Sequence, residues 1–169
     1  MNKVQKQPLS ETENQLKEKI SFYADKIDLF LNQINQIILD KDHQTKLALC
    51  SLLSGGHVLF EDLPGLGKTT LSSALSHLAG LQFQRIQFTN DMLASDVIGI
   101  NMFNKKEHQF EFKQGPIFTQ ILLADEINRC SPKTQSALLE AMEEGIVTVD
   151  GERYHLPKPF WVIATQNPL

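Results

Sequence analysis

The sequence predicts an α/β fold, a mostly parallel sheet sandwiched between helices, and three observations carry that prediction. Short apolar runs alternate along the chain with stretches of helical periodicity, as in a sheet whose crossovers are helices. Two runs, 121–124 and 160–164, are apolar without alternation, as strands buried on both faces are. Three runs lead into polar residues: Lys68 and Thr69 after the first, Asp125 and Glu126 after another, Asn167 after the last. Ligands of such sheets bind beyond the carboxyl ends of the strands, so these residues mark one functional edge.

Residues 1–9 read as a disordered tail. Ser10 and Glu13 have capping-box spacing, and residues 10–39 read as one long helix. Leu16, Ile20, Tyr23, Ile27, Leu31, Ile34 and Ile38 recur every three or four residues, giving it one apolar face. That face fits a coiled-coil seam, or a helix packed on the rest of the chain, which is the favoured reading. Asp42 is placed to cap a second helix, which carries Leu47, Ala48, Leu49 and Leu52 and ends at Gly55.

The stretch HVLFEDLPGLGKTT, residues 57–70, organises the remainder. Val58, Leu59 and Phe60 form a strand, and Leu71, Ala74, Leu75 and Leu78 mark the helix that follows. Between them Gly65 and Gly67 allow the backbone to curve into a nest of inward N–H groups, to which the helix start adds its own donors. This is phosphate-binding chemistry: Pro64, Gly65, Leu66, Gly67, Lys68, Thr69 and Thr70 form the cradle, Lys68 reaching the β- and γ-phosphates and the Thr69 hydroxyl placed for Mg²⁺. The usual pattern has a glycine at the position of Asp62, and that carboxylate is expected to point away from the nest.

Downstream, residues 83–88 alternate as a strand, and a short helical stretch follows Asp91. Residues 97–103 and 109–112 are predicted to pair as a hairpin around a polar tip. The run 121–124 ends in Asp125-Glu126, and a helix with Pro132 near its start runs to Gly145. Asp150-Gly151 between two short apolar-alternating runs is a tight hairpin signal. Asp125 can hold Mg²⁺ opposite Thr69, Glu126 can polarise a water for attack on a γ-phosphate, and Asn167 can bond that water or the phosphate. The competing reading of Asn167 is turn chemistry before Pro168.

The composition is that of one ordinary soluble domain: 169 residues, 41% hydrophobic and 21% charged. A net charge of −4 leaves no electrostatic footprint for nucleic acid. No apolar run has transmembrane length, and the polar N-terminus lacks the core of a signal peptide. Cys50 and Cys130 are expected to be free thiols in a cytoplasmic setting, Cys50 in the core and Cys130 partly exposed. His43, His57, His77, His108 and His155 lack metal-ligand spacing and read as surface or packing residues.

GGHVLFEDLPGLGKTT, RIQFTNDMLASDVIG, GPIFTQILLADEINRCSPKTQSALLEAMEEGIVTVDG and FWVIATQNP together resemble the MoxR family of AAA+ ATPases, over residues 36–169. The resemblance implies a P-loop NTPase sandwich with ATP and Mg²⁺ as ligands. Residues 64–70 become Walker A, 121–126 Walker B, and Asn167 the sensor-1 residue. The hairpin within 97–113 resembles an insert of this clade, and the Asp150-Gly151 hairpin a pre-sensor-1 hairpin. In related machines such hairpins face the ring centre or a client. Ile38 and Leu39 resemble a segment lining the adenine pocket.

The family is similar in role to a chaperone, remodelling or activating protein complexes as a hexameric ring, often beside a partner with a von Willebrand A domain. The resemblance divides the chain into the tail, the helix 10–39 and a partial AAA+ core at 40–169. A fifth strand, an arginine finger and a helical lid would follow Leu169, so the sheet is expected to be incomplete, with residues 58–60 at an open edge. An isolated chain of this kind is expected to hydrolyse ATP very slowly. Two rivals are a small-molecule kinase, and an inactive fragment that only binds nucleotide or associates with full-length relatives.

Overall fold

The computed structural model describes residues 11–61 and 67–166, apart from the side chains of Glu11 and Lys68. Two helices come first, α1 (Glu11–Ile37) and α2 (Asp42–Leu53), then β1 (Val58–Glu61) and α3 (Lys68–Ala79). β2 (Phe83–Gln87), α4 (Ala94–Ile98) and the hairpin β3 (Gly99–Asn104) and β4 (Gln109–Gln114) follow. β5 (Ile121–Asp125), a 3₁₀ turn (Ile127–Arg129), α5 (Pro132–Glu144), the hairpin β6 (Ile146–Val149) and β7 (Glu152–His155), and β8 (Trp161–Gln166) complete the order.

β1, β8, β5 and β2 form one sheet in that order, and every pairing in it is parallel. β5 and β8 are central and buried along almost their whole length, which is why their sequences run apolar without alternation. The alternation of β5 is instead between two cores. Ile121 and Leu123 pack with Leu71 and Leu75 of α3, Ile34 and Ile38 of the α1 end, and Ala48 of α2. Leu122 and Ala124 face the other way, onto Leu138 and Ala141 of α5. The result is the predicted α/β sandwich. Among the described residues β1 pairs only with β8, and Leu59 is exposed, so the expected open edge is present.

Local chemistry sets the element ends. Asp150 and Gly151 both have positive φ, 50° and 85°, as a two-residue type I′ turn demands. Ser131 caps α5 by accepting the Thr134 N–H, with Pro132 next in line. α2 closes with Gly55 N–H donating to the Leu52 carbonyl and Gly56 N–H to that of Ser51, a Schellman arrangement. His57 straps two layers together. Its Nδ1 accepts the Val162 N–H at 2.9 Å, so its proton sits on Nε2, 3.0 Å from the Met142 carbonyl at the end of α5.

Several expectations need correction. α1 packs on the domain only through its last turns, at Leu31, Ile34 and Ile38. Leu16, Ile20 and Tyr23 are about 60% exposed, and none of them belongs to either core, while α1 meets α2 and α3. Asp42 does not cap α2. It is the first helical residue, after Lys41, and its carboxylate binds Lys46 one turn on and Asn35 of α1. Those two contacts, Lys46 first, lower its pKa. Val97 and Ile98 belong to α4, not to the hairpin. The hairpin's base forms a tight crossing instead, in which Gly99 and Gly115 leave no room for side chains. Cys50 is exposed and Cys130 is buried, the reverse of expectation, since Cys50 lies on the outer face of α2.

Candidate functional site

The carboxyl ends of the four strands place Glu61, Gln166, Asp125 and Gln87 along one edge. Gln166 Nε2 donates to Glu61 Oε1 at 2.8 Å, joining the ends of β8 and β1. α3 begins on this side of the sheet. Gly67 sits at its N-cap with φ of 75°, a left-handed conformation that suits glycine. Thr69 and Thr70 follow in the first turn, both exposed. Amides at such a helix start have no intrahelical acceptor, and the helix dipole favours an anion there. Pro64, Gly65, Leu66, Asp62 and Asn167, and the side chain of Lys68, lie outside the described residues.

Asp125 and Glu126 are the chemical centre of the edge. Asp125 is largely buried and accepts two hydrogen bonds. Arg85 Nε donates to Oδ2 at 2.7 Å, and the Thr165 hydroxyl donates to Oδ1 at 3.0 Å. Each carboxylate oxygen therefore keeps acceptor capacity. Arg85 is itself steadied by Gln87, whose Oε1 accepts from the guanidinium at 3.3 Å.

Glu126 turns out of the strand with φ of 55° and ψ of 46°. A non-glycine residue in this region costs on the order of 1–3 kcal/mol and persists where its surroundings impose it. Here the Glu126 N–H donates to Thr165 Oγ1 at 3.0 Å. The carboxylate accepts from Gln87 Nε2 at 2.9 Å and pairs with Arg129 Nε at 3.0 Å. The 3₁₀ turn at Ile127–Arg129 brings Arg129 round to it.

The structure thus brings Asp125 and Glu126 to the edge from which α3 starts. It adds four residues that sequence reasoning missed: Arg85, Gln87, Arg129 and Thr165. Arg85 and Gln87 were legible as two polar residues on one face of a strand, but only the strand order puts that face beside Asp125. Ile38, expected near a base pocket, is buried in the core, while Leu39 is 76% exposed. A cleft of about 450 Å³ beside the helix start is lined by Ile37, Thr69, Thr70, Ser73 and His77 among others.

The two hairpins lie on the opposite face from α3 and are joined. Asn101 Nδ2 donates to Asp150 Oδ2 at 2.8 Å, and Phe112 stacks on Tyr154 at 3.9 Å. Beyond that joint Met102, Phe103 and Phe110 are exposed.

Residues 57–169 match the family model for ATPases associated with various cellular activities. The chain is 55% identical over 139 residues to the protein YeaC of Bacillus subtilis (strain 168), an alignment covering 82% of this chain and 43% of that protein. It is 42% identical over 137 residues to Chaperone MoxR1 of Mycobacterium tuberculosis, covering 81% of this chain and 36% of that one. A crystal structure of a proposed ATPase from Cytophaga hutchinsonii matches with a TM-score of 0.78 at 40% identity, over 95% of this chain and 48% of that one. The chain thus spans less than half the length of these relatives. The family match, these identities and the parallel α/β architecture agree: the chain belongs to the MoxR family of AAA+ ATPases.

Proposed function

We propose that this chain carries the nucleotide-binding half of an ATP-hydrolysing chaperone, with residues 40–169 as its core and 10–39 as a helical arm. The observation that carries the reading is the joint placement of Asp125, Glu126 and the start of α3 at one sheet edge. Backbone amides of Gly65 to Thr70 receive the phosphates, and Lys68 neutralises them. Oxygen ligands on two elements suit Mg²⁺, which protein sites commonly hold by one or two carboxylates together with phosphates and water. Thr69 and Asp125 would hold it. When bound, the ion supplies charge neutralisation on the phosphate oxygens.

Glu126 orients the attacking water and takes its proton, and Asn167 bonds the γ-phosphate. In the structure Gln87 and Arg129 both hold the Glu126 carboxylate through Oε2, and a carboxylate has about four acceptor sites, so these contacts can orient the group while it engages water. The joined hairpins, with Met102, Phe103 and Phe110 exposed, form the surface offered to a protein client. A hexameric ring and a partner with a von Willebrand A domain belong to the same reading, as does a cytoplasmic setting; no described helix is long and apolar enough to cross a membrane.

The test is Mg²⁺-dependent ATP hydrolysis beside Glu126→Gln. A general base typically contributes 10²–10⁴-fold, so the variant should retain ATP binding while turnover falls by at least about 100-fold. Equal turnover in the two proteins would overturn the assignment.

A further inference from the structure

The Thr165 hydroxyl bonds to both acidic residues of the site, the backbone of Glu126 and the carboxylate of Asp125. It is 4% exposed and lies on β8, next to β5 in the sheet. The Glu126 backbone N–H can only donate, so Thr165 Oγ1 accepts it, at 3.0 Å. The hydroxyl proton is then left for Asp125 Oδ1, also at 3.0 Å. One oxygen thereby fixes the side chain of Asp125 and the left-handed backbone of Glu126 together.

We infer that Thr165 is a positioning residue that orients Asp125 for the metal and aims Glu126 at the nucleotide. This rests on the proposed role of Asp125 in holding Mg²⁺. The division of labour on Asp125 supports it. Arg85 is half exposed and binds Oδ2 from outside, whereas Thr165 binds Oδ1 from within the sheet. Arg85 fixes charge, and the buried hydroxyl fixes direction. A valine at 165 keeps the shape and β-branch but removes donor and acceptor at once.

The experiment measures binding of a fluorescent ATP analogue to the full chain, once in EDTA and once in Mg²⁺. The parent is compared with Thr165→Val, Thr165→Ser and Asp125→Asn. Loss of a partner that orients a metal ligand typically weakens metal affinity 10–100-fold. Thr165→Val should therefore lose about tenfold or more of the Mg²⁺-dependent gain, with affinity in EDTA unchanged, and Thr165→Ser should keep the gain. If the valine variant does not fold, Thr165→Ala carries the same expectation. A gain equal to the parent's in Thr165→Val, or an equal loss in Thr165→Ser, would overturn the inference alone. A parent without any Mg²⁺-dependent gain, or an Asp125→Asn variant that keeps it, would overturn the metal role beneath it.

Discussion

Arg85 reaches diagonally across two adjacent parallel strands to Asp125, two residues beyond its register partner Leu123, with the guanidinium Nε 2.7 Å from Oδ2. The pair gives a protein cation to the carboxylate that the proposed reading assigns to a metal ion. Its two charges differ in setting: Arg85 is half exposed, while the carboxylate is mostly covered. Solvent screening of the arginine holds the net value of the pair down, to about 1 kcal/mol. Arg85→Gln should destabilise the metal-free chain by about that amount in urea unfolding. The deficit should shrink with Mg²⁺ and ATP present, because the ion then neutralises Asp125. An undiminished deficit would argue against metal at this carboxylate.

The crossing of Gly99 and Gly115 gives a sharper stability test. A Cβ at Gly115 would lie 2.3 Å from the Val97 carbonyl oxygen, and one at Gly99 would lie 2.4 Å from that of Lys113. Both obstacles are backbone, and Gly99 also has φ of 105°. Overpacking of this kind costs about 1–3 kcal/mol, so Gly115→Ala should lower the melting temperature by several degrees. Gly80→Ala, with open space around the added carbon, should cost less, only the strain of φ at 65°.

The two parts of α1 should respond differently to substitution. Leu16→Gln and Ile20→Gln alter exposed positions and should change unfolding free energy by no more than about 0.5 kcal/mol. Ile34→Ala removes a fully buried side chain from the α3-side core and should cost about 2–5 kcal/mol. Comparable losses at all three sites would mean that the free part of α1 is packed.

Thiol labelling separates the cysteines. Cys50 is exposed, and Cys130 is buried with its Sγ donating to the Ile127 carbonyl at 3.2 Å. Burial pushes the Cys130 thiol above its ordinary value, so less of the reactive thiolate forms at any given pH. In the native chain one equivalent of reagent should react quickly, at Cys50. Cys130 should react at the rate of unfolding, and raising the pH to 9 should leave it the slower of the two.

Signals confined to a few neighbouring residues were legible in the sequence. Asp150-Gly151 specifies its turn by φ alone, Pro132 and Gly145 bracket α5, and the non-alternating runs of β5 and β8 announce burial on both faces. Asp125 and Glu126 were legible because they end such a run. The supporting shell was not, because Arg85, Gln87 and Thr165 matter only through strand order and register. The same limit explains α1. Its periodicity states that a face is apolar, but not how much of that face meets α2 and α3. At Val97 the apolar run fits a strand, yet the close crossing of Gly99 and Gly115 starts the hairpin two residues later. Cys50 went astray because an apolar helical pattern does not say which side of α2 meets the core.

In the proposed function the start of α3 and the loop before it bind ATP. Titration of the chain with a fluorescent ATP analogue and Mg²⁺, beside Lys68→Ala, tests it most directly. Binding should be saturable, and the substitution should weaken it by about tenfold or more, the loss of roughly one charge-assisted contact to phosphate. Equal affinity in two folded proteins, or no binding to the parent, would contradict it.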